Sequence, residues 1–511
     1  MAAVERYDVH HPVLDDPGLL TWQQYAARAW PTLCVIDPEG YVVATMTGEG
    51  HAAGLVRLID ELVIEHEHRG TLRRGPLDLR RGNPPSPTPL RFPGTVLALP
   101  DGGLLVSDTA QHRLVEWAHP GGDLRRVIGS ALRGSADGVP ERAEFAEPQG
   151  MALLPAPVAA AVGYDVVVAD TANHLLRGVR LSDGQVRTLA GSGQPWRPRV
   201  AEDNLSSPWD VAWWRDTVVV AMAGIHQLWT FDPRSETLAV LAGTTTEGLS
   251  DGPLAAAWFA QPSGLAADGE RLWLVDAETS ALRYLHDGEV HTVIGAGLFD
   301  FGHRDGLAGQ ALLQHPLGVA MLPDGSVAIC DTYNDAVRRY DPRTGAVSTL
   351  ATGLSEPSGA TLFGDDLLVV ESDAHRLTPV PLGGGTVRDG GAQRTRRPAS
   401  DLAAGDVELT VRFEPAPGQR LDDRDGPATR LEVSATPAEL LLDGAGTAAS
   451  LGRRLRIAPA YGEGVLHVTA QAAVCDHEVE HPACHLVRQD WAVPVRVRVD
   501  GESRLDLVLR G

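Results

Sequence analysis

The residues of this 511-residue chain whose types could do chemistry are four cysteines and a set of recurring histidines. Cys475 and Cys484 lie nine positions apart and bracket Asp-His-Glu-Val-Glu-His-Pro-Ala, with His485 following. Thiols so placed form a disulfide or dithiol pair, stand as two separate cysteines, or join His477, His481 and His485 around a metal. The spacing matches no metal motif, so no metal is assigned. Cys34 sits in an apolar run after Pro31, where a cysteine behaves as a small buried hydrophobe. His112, His174, His226 and His375 occupy the same point of a repeating pattern. Histidine clusters bind metals, but a residue recurring once per repeat serves the repeat, here by bonding a turn between two strands. The same reading covers Asp108, Asp170, Asp276, Asp331 and Glu371, whose carboxylates would tie down backbone N–H groups in those turns. No catalytic residue and no cofactor follow from these residues.

Composition narrows the function classes. Lys plus Arg number 44 against 67 Asp plus Glu, a net charge of −23, and the longest basic run is Arg394-Thr395-Arg396-Arg397. Such a surface repels phosphate backbones, so nucleic acid is not an expected partner. All the basic residues are Arg, which suits a GC-rich bacterial genome and excludes lysine chemistry, the P-loop and Schiff base included. No apolar stretch approaches the roughly 20 residues of a membrane helix, and Met1 to Arg6 do not begin a signal peptide. The expectation is a cytoplasmic, monomeric protein without a membrane partner, of two to four domains.

The elements that hold these residues repeat. A proline opens an apolar strand at Phe92-Pro93-Gly94, Glu147-Pro148-Gln149-Gly150, Ser207-Pro208-Trp209-Asp210, Gln261-Pro262-Ser263-Gly264, His315-Pro316-Leu317-Gly318 and Glu356-Pro357-Ser358-Gly359. A second Val/Leu-rich strand with a polar end follows each, as in Val166 to Arg177 and Val327 to Arg339, and then two more short strands. Four short strands per repeat of 40–60 residues describe a propeller blade, and six copies a six-bladed ring over 90–385. Either 385–389 or 75–81 would supply the last outer strand. Departures from the repeat mark candidate binding residues. Trp209-Asp210 stands where Gly is usual, Met222 replaces the turn aspartate, and Phe299 and Phe301 interrupt a polar loop.

The copies Asp137-Gly138…Phe145…Pro148 with Asp170-Thr171-Ala172-Asn173-His174-Leu175-Leu176-Arg177, Asp251-Gly252…Phe259…Pro262, and Asp305-Gly306…Pro316 with Asp331-Thr332-Tyr333-Asn334 resemble the NHL repeat. The order of the whole chain resembles the NHL-repeat-containing protein 2 family, which implies a thioredoxin-like domain, a six-bladed propeller and a small β domain. Residues 1–70 are similar to the second half of a thioredoxin-like fold. Trp30-Pro31-Thr32 resembles its cis-proline loop, a helix is expected at about 20–29, and strands are read at Thr32 to Ile36 and Tyr41 to Met46. A closing helix covers 51–67. The half with the Cys-x-x-Cys nucleophiles is missing, so a start codon assigned too far downstream is the expected explanation. The half sheet should expose an apolar face and an open edge.

A Pro-rich linker, 71–89, leads to the propeller and a second, 386–401, leads out of it. From 402 to 511 short alternating strands predict a β-sandwich. Its Cys475/Cys484 pair is similar to the redox hairpin in the N-terminal β-sandwich of bacterial transmembrane thiol:disulfide interchange proteins. The resulting expectation is a mainly β, non-catalytic scaffold binding a protein or small ligand of unknown identity. Its cleft would lie between the thioredoxin-like segment and the propeller, lined by Trp209, Asp210, Met222, Phe299 and Phe301, with Trp30 opposite. The rival readings are a thiol-disulfide oxidoreductase lacking its active-site half and, more distantly, an NHL-type lyase.

Overall fold

The computed structural model describes residues 6, 9, 11, 13–14, 32–47, 52–75, 88–196, 204–298, 300–383, 399–415, 419–421, 428–476 and 484–510. Contacts divide the chain into two compact units. One comprises Met1–Val9 and Asn83–Arg394, the other His10–Gly82 and Thr395–Gly511.

In the first unit the described residues form six small antiparallel sheets in succession, a β-propeller. Their first strands are Val96–Ala98, Pro148–Leu153, Pro208–Trp214, Pro262–Ala267, Gly318–Met321 and Pro357–Phe363. Sheets 1, 2 and 3 have four strands, sheets 4 and 5 gain a two-residue fifth strand, and sheet 6 shows three. Both sequences proposed for its fourth strand lie outside the described residues, apart from Gly75. The second strands, such as Val166–Asp170 and Val327–Asp331, are buried throughout, apart from the half-buried first residues Thr217 and Asp366 of those in sheets 3 and 6. Each is packed on both faces, so its sequence is a continuous apolar run rather than an alternating one.

The sheets pack face to face in a circle. Val168 of sheet 2 meets Leu105 and Phe145 on the side of sheet 1. Similar apolar layers join sheets 2 and 3, 3 and 4, 4 and 5, and 5 and 6. Leu368 and Val370 of sheet 6 then pack on Val96, Leu104 and Val106 of sheet 1, which closes the ring.

Within a sheet, one carboxylate at the end of the second strand ties down the segment that leads into the first strand. Asp170 Oδ1 accepts the Ala146 N–H at 2.7 Å and its Oδ2 accepts Arg177 Nη1 at 2.8 Å. Asp276 does the same with Ala260 and Arg283, and Asp331 with Gln314 and Arg338. Asp108 and Glu371 hold Arg91 N–H and Ser355 N–H, with Arg113 and Arg376 as counter-charges. Burial pushes the Asp170 and Asp331 carboxyls up to about 6 against the pull of their arginines. Sheet 3 departs from this scheme. Met222 stands at the aspartate position and Trp229 at the arginine position, both inside the core shared with sheet 2. An apolar pair has replaced a buried ion pair, an exchange that leaves no lone charge behind.

The second unit contains a β-sandwich and the N-terminal elements. Gly405–Glu414, Gly452–Ile457 and Arg504–Arg510 build one sheet of the sandwich; Thr429–Thr436, Glu463–Asp476 and Cys484–Arg498 build the other. Leu409, Leu455, Leu507, Leu431, Val468 and Trp491 fill the space between the sheets. Near the N-terminus, Thr32–Ile36 pairs with Val42–Thr47, and Ala52–Arg69 is a helix. The turn between the strands is set by Asp37, whose Oδ1 accepts the N–H groups of Glu39 and Tyr41 at 2.9 Å, while Gly40 supplies a φ of 93°. Leu33, Ile36, Tyr41, Val42 and Val43 of this hairpin are exposed. Trp30, Pro31 and the helix expected at 20–29 lie outside the described residues. No described helix is long and apolar enough to cross a membrane.

Arg283 has no exposed side-chain surface, so Arg283→Met leaves Asp276 charged and buried. The expected loss is about 3–5 kcal/mol in urea unfolding of the propeller, with partial recovery when Asp276→Leu is added. A double variant less stable than the single one would refute the account.

Candidate functional site

The six first strands converge on the propeller axis, and the residue two places after each proline sets how closely. These residues are Thr95, Gly150, Asp210, Gly264, Gly318 and Gly359. A Cβ on Gly150 would stand 2.4 Å from Asp210 Cα, one on Gly264 2.8 Å from Gly318 Cα, and one on Gly359 3.1 Å from Thr95 Cα. Glycine is required there because neighbouring backbones touch. In sheet 1 the equivalent residue is Thr95, not the Gly94 suggested by the Pro-Gly sequence.

Asp210 is the carboxylate in this ring. Its Oδ2 accepts the Leu265 N–H of sheet 4 and its Oδ1 the N–H of Val211, both at 2.8 Å. Desolvation among the converging strands pushes its carboxyl up to about 7, against the pull of those two donors. The strands enclose an axial pocket of about 140 Å³ whose walls include Thr95, Gln149, Met151, Trp209, Asp210 and Ser358. Among all the lining residues Asp210 is the one with an ionisable side chain. Trp209 is half-buried beside it.

The other residues singled out by sequence divide. Met222 is fully buried in the core between sheets 2 and 3, so it cannot line an open cleft; the sequence expectation is corrected on this point. Phe301 is half-buried ahead of the short strand Gly306–Leu307, and Phe299 lies outside the described residues. Thr32 begins the hairpin. Cys34 is half-buried in that strand, and the Cys330 thiol is pushed up to about 12 by burial. Cys475 and Cys484 stand opposite each other in the antiparallel register of their strands. A set the sequence reading missed is Asp37, Glu39 and His66, whose potential ligand atoms lie within 4.8 Å of one another. Twenty-odd residues separate the histidine from the turn, so no local spacing signalled the group. His66 Nδ1 is already bonded to Thr71 Oγ1 at 2.7 Å, and Arg69 lies 3.4 Å from Glu39.

The recurring histidines join sheets. Each adopts left-handed backbone, with φ of 52° at His112, 54° at His174, 56° at His226 and 57° at His375. Their Nδ1 atoms accept the N–H of Glu147, Ser207, Gln261 and Phe92, the residues before the next sheet's proline, at 2.9–3.2 Å. Ser280 and Asp335 take the same role toward His315 and Glu356. Acceptance at Nδ1 requires the neutral ring with its proton on Nε2.

No family model matches the chain. It is 31% identical to NHL repeat-containing protein 2 of Bos taurus over 501 residues, 86% of this chain and 66% of that protein. It is 31% identical to the Homo sapiens protein of the same name, covering 75% and 59% of the two chains. It is also 33% identical to the protein Suppressor of quenching 1, chloroplastic, of Arabidopsis thaliana, covering 73% and 38%. The chain thus spans between about two fifths and two thirds of the length of these relatives. Similar solved structures include a virginiamycin B lyase from Staphylococcus aureus (11% identity, TM-score 0.36, 57% of this chain and 85% of that one). Another is a gluconolactonase from Xanthomonas campestris (16%, TM-score 0.39, 57% and 86%). The chain belongs to the NHL repeat-containing protein 2 family.

Desolvation holds the folded pKa values of His112 and His174 below 6.5, so below that pH the unfolded chain binds more protons. Stability carried by these bonds is therefore present above pH 6.5 and lost as pH falls toward the folded values. The double variant His112→Asn, His174→Asn should lose less stability between pH 7.5 and pH 5 than the unaltered chain in urea titrations. Equal losses would show that the two rings do not titrate with unfolding.

Proposed function

We propose that the chain is a non-catalytic interaction scaffold whose propeller receives a protein or small ligand at the axial pocket. The observation that carries this reading is the division of labour among the repeated residues. The histidines and turn carboxylates are engaged in holding sheets together, whereas Asp210 replaces a repeated glycine and lines the axial space with Trp209 beside it. A pocket between converging strands with a few polar groups is the usual form of a binding site. The same engagement weighs against a lyase built on the recurring histidines, since their Nδ1 lone pairs are occupied.

The test is site-specific photocrosslinking in cells. Benzoylphenylalanine in place of Trp209 should give discrete adducts that are absent when it replaces Val240, an exposed residue on an outer strand. Trp209→Ala should remove partner association while leaving the urea midpoint within experimental error. Identical adducts at both positions, or none at 209, would overturn the scaffold reading.

A second reading, thiol-disulfide exchange, is favoured by the register of Cys475 against Cys484. Directly opposed residues of an antiparallel pair have Cα atoms roughly 4.5–5.5 Å apart, within the span a disulfide bridges. Alkylation of the denatured chain without reductant should then modify Cys34 and Cys330 alone, and all four cysteines after reduction. Four modified cysteines without reductant would exclude the bridge.

A further inference from the structure

The buried carboxylates of the propeller come with guanidinium partners, whereas the half-buried Asp210 at the axis does not. Asp108, Asp170, Asp276, Asp331 and Glu371 each have an arginine nitrogen within 3.0 Å. Asp305 is paired with Arg338. Asp210 meets two backbone N–H groups, and no ion pair is found for it among the described residues. Sheet 3 is also the sheet whose turn carries Met222 and Trp229 in place of the aspartate and arginine. Its carboxylate stands at the axis instead, in a cavity whose other lining residues are all uncharged.

We propose that the axial pocket binds the ammonium or guanidinium group of a small amine or of a partner's basic side chain, with Asp210 as counter-charge and Trp209 as aromatic wall. The proposal rests on the scaffold reading and specifies its ligand.

Three features support a cation. An ionised carboxylate taken out of water gains most from a positive group brought into the same low-dielectric space, so an anion is excluded and a neutral ligand leaves the charge uncompensated. The upward displacement of the Asp210 carboxyl to about 7 has the same origin, a charge desolvated without a cation. A tryptophan ring adds attraction for a cation at its face, worth roughly 0.5–2 kcal/mol. The chain's net charge of −23 draws cations toward the molecule as a whole. A space of about 140 Å³ suits a head group rather than the body of a large ligand.

The molecule holds one of its own arginines by the same chemistry. Arg6 Nη2 lies 2.5 Å from Glu356 Oε2, and its guanidinium stands 4.8 Å from the centre of the Phe92 ring. A carboxylate beside an aromatic ring is there a guanidinium site, at the seam of sheets 6 and 1.

Carbodiimide labelling reads the pocket directly, because the reagent attacks protonated carboxyls. With its carboxyl raised to about 7, Asp210 carries its proton far more often at neutral pH than a carboxyl with an ordinary pKa of 3.8. Residue-resolved mass spectrometry of the full chain should therefore show Asp210 labelled well ahead of an ordinary surface carboxyl such as Asp500. Millimolar trimethylammonium or methylguanidinium should reduce that labelling several-fold, while tert-butanol and methanesulfonate should not. A neutral-ended tripeptide with a central arginine separates the sources: protection by the peptide assigns a partner's side chain, protection by trimethylammonium alone a free amine. Trp209→Ala should weaken protection without abolishing the label, and Asp210→Asn should abolish the label. Equal protection by tert-butanol and trimethylammonium, no protection by any cation, or no preferential labelling of Asp210 would overturn the proposal. If cations fail while crosslinks at position 209 persist, the ligand class falls and the scaffold reading stands; if the crosslinks fail as well, both fall.

Discussion

The bond between a left-handed turn residue of one sheet and the N–H before the next sheet's proline is the constraint on which the propeller depends. A small sheet with two apolar faces is not stable alone, and stacking in a circle is what buries both faces. Apolar packing between sheets is non-directional and does not by itself set their angular spacing. The seam bond does, because it reaches from the end of one sheet's second strand to the first residue of the next. That residue has positive φ at all six seams, from 42° at Phe92 to 62° at Gln261, an uncommon conformation for non-glycine residues. Held there, the following proline directs its strand toward the axis. Ser280 and Asp335 show that the requirement is an acceptor at a fixed place, not an imidazole.

This explains what was legible in the sequence. The Pro-strand copies could be counted because each repeats the same seam. A once-per-repeat histidine answers a once-per-repeat need, but the bond it makes runs to the next sheet rather than within its own turn, which a linear reading does not reach. The carboxylates at the strand ends likewise take their backbone N–H from the segment before the first strand and not from the turn. Their arginines were not anticipated, although Asp170/Arg177, Asp276/Arg283 and Asp331/Arg338 share a spacing of seven, because pairing across two strands is invisible in a linear scan. The closing sheet shows the same limit. The first copy was aligned on Pro93-Gly94, whereas the crowded ring position is Thr95, and only contact with Gly359 reveals the offset.

Met222 illustrates a subtler failure. Loss of the aspartate was visible, and exposure to a partner was the inference drawn from it. The arginine position had changed too, to Trp229, and the two changes together make an apolar pair of ordinary core character. A departure from a repeat signals function only where its complement has not departed with it. Asp210 passes that criterion. The four glycines at its equivalent positions have not changed to accommodate it, and no described arginine has moved in to neutralise the carboxylate. Trp209 does not stand at the glycine position, since its equivalents are Gly94, Gln149, Ser263, Leu317 and Ser358.

The position of Asp210 also has a structural consequence that a surface site would not have. Its carboxylate is held by N–H groups of two sheets, its own and the next, so whatever neutralises it also bears on the seam between them. Each of the buried carboxylates at the strand ends has an arginine from its own sheet, and its charge is settled when the chain folds. At the axis the charge of the half-buried Asp210 is left open, and partial desolvation without a partner costs stability in proportion to how far the carboxyl is raised. A fold that closes its ring with paired charges elsewhere keeps this one unpaired at the place where all six sheets meet. Filling that place from outside would relieve the cost, and this links the stability of the ring to occupancy of its centre.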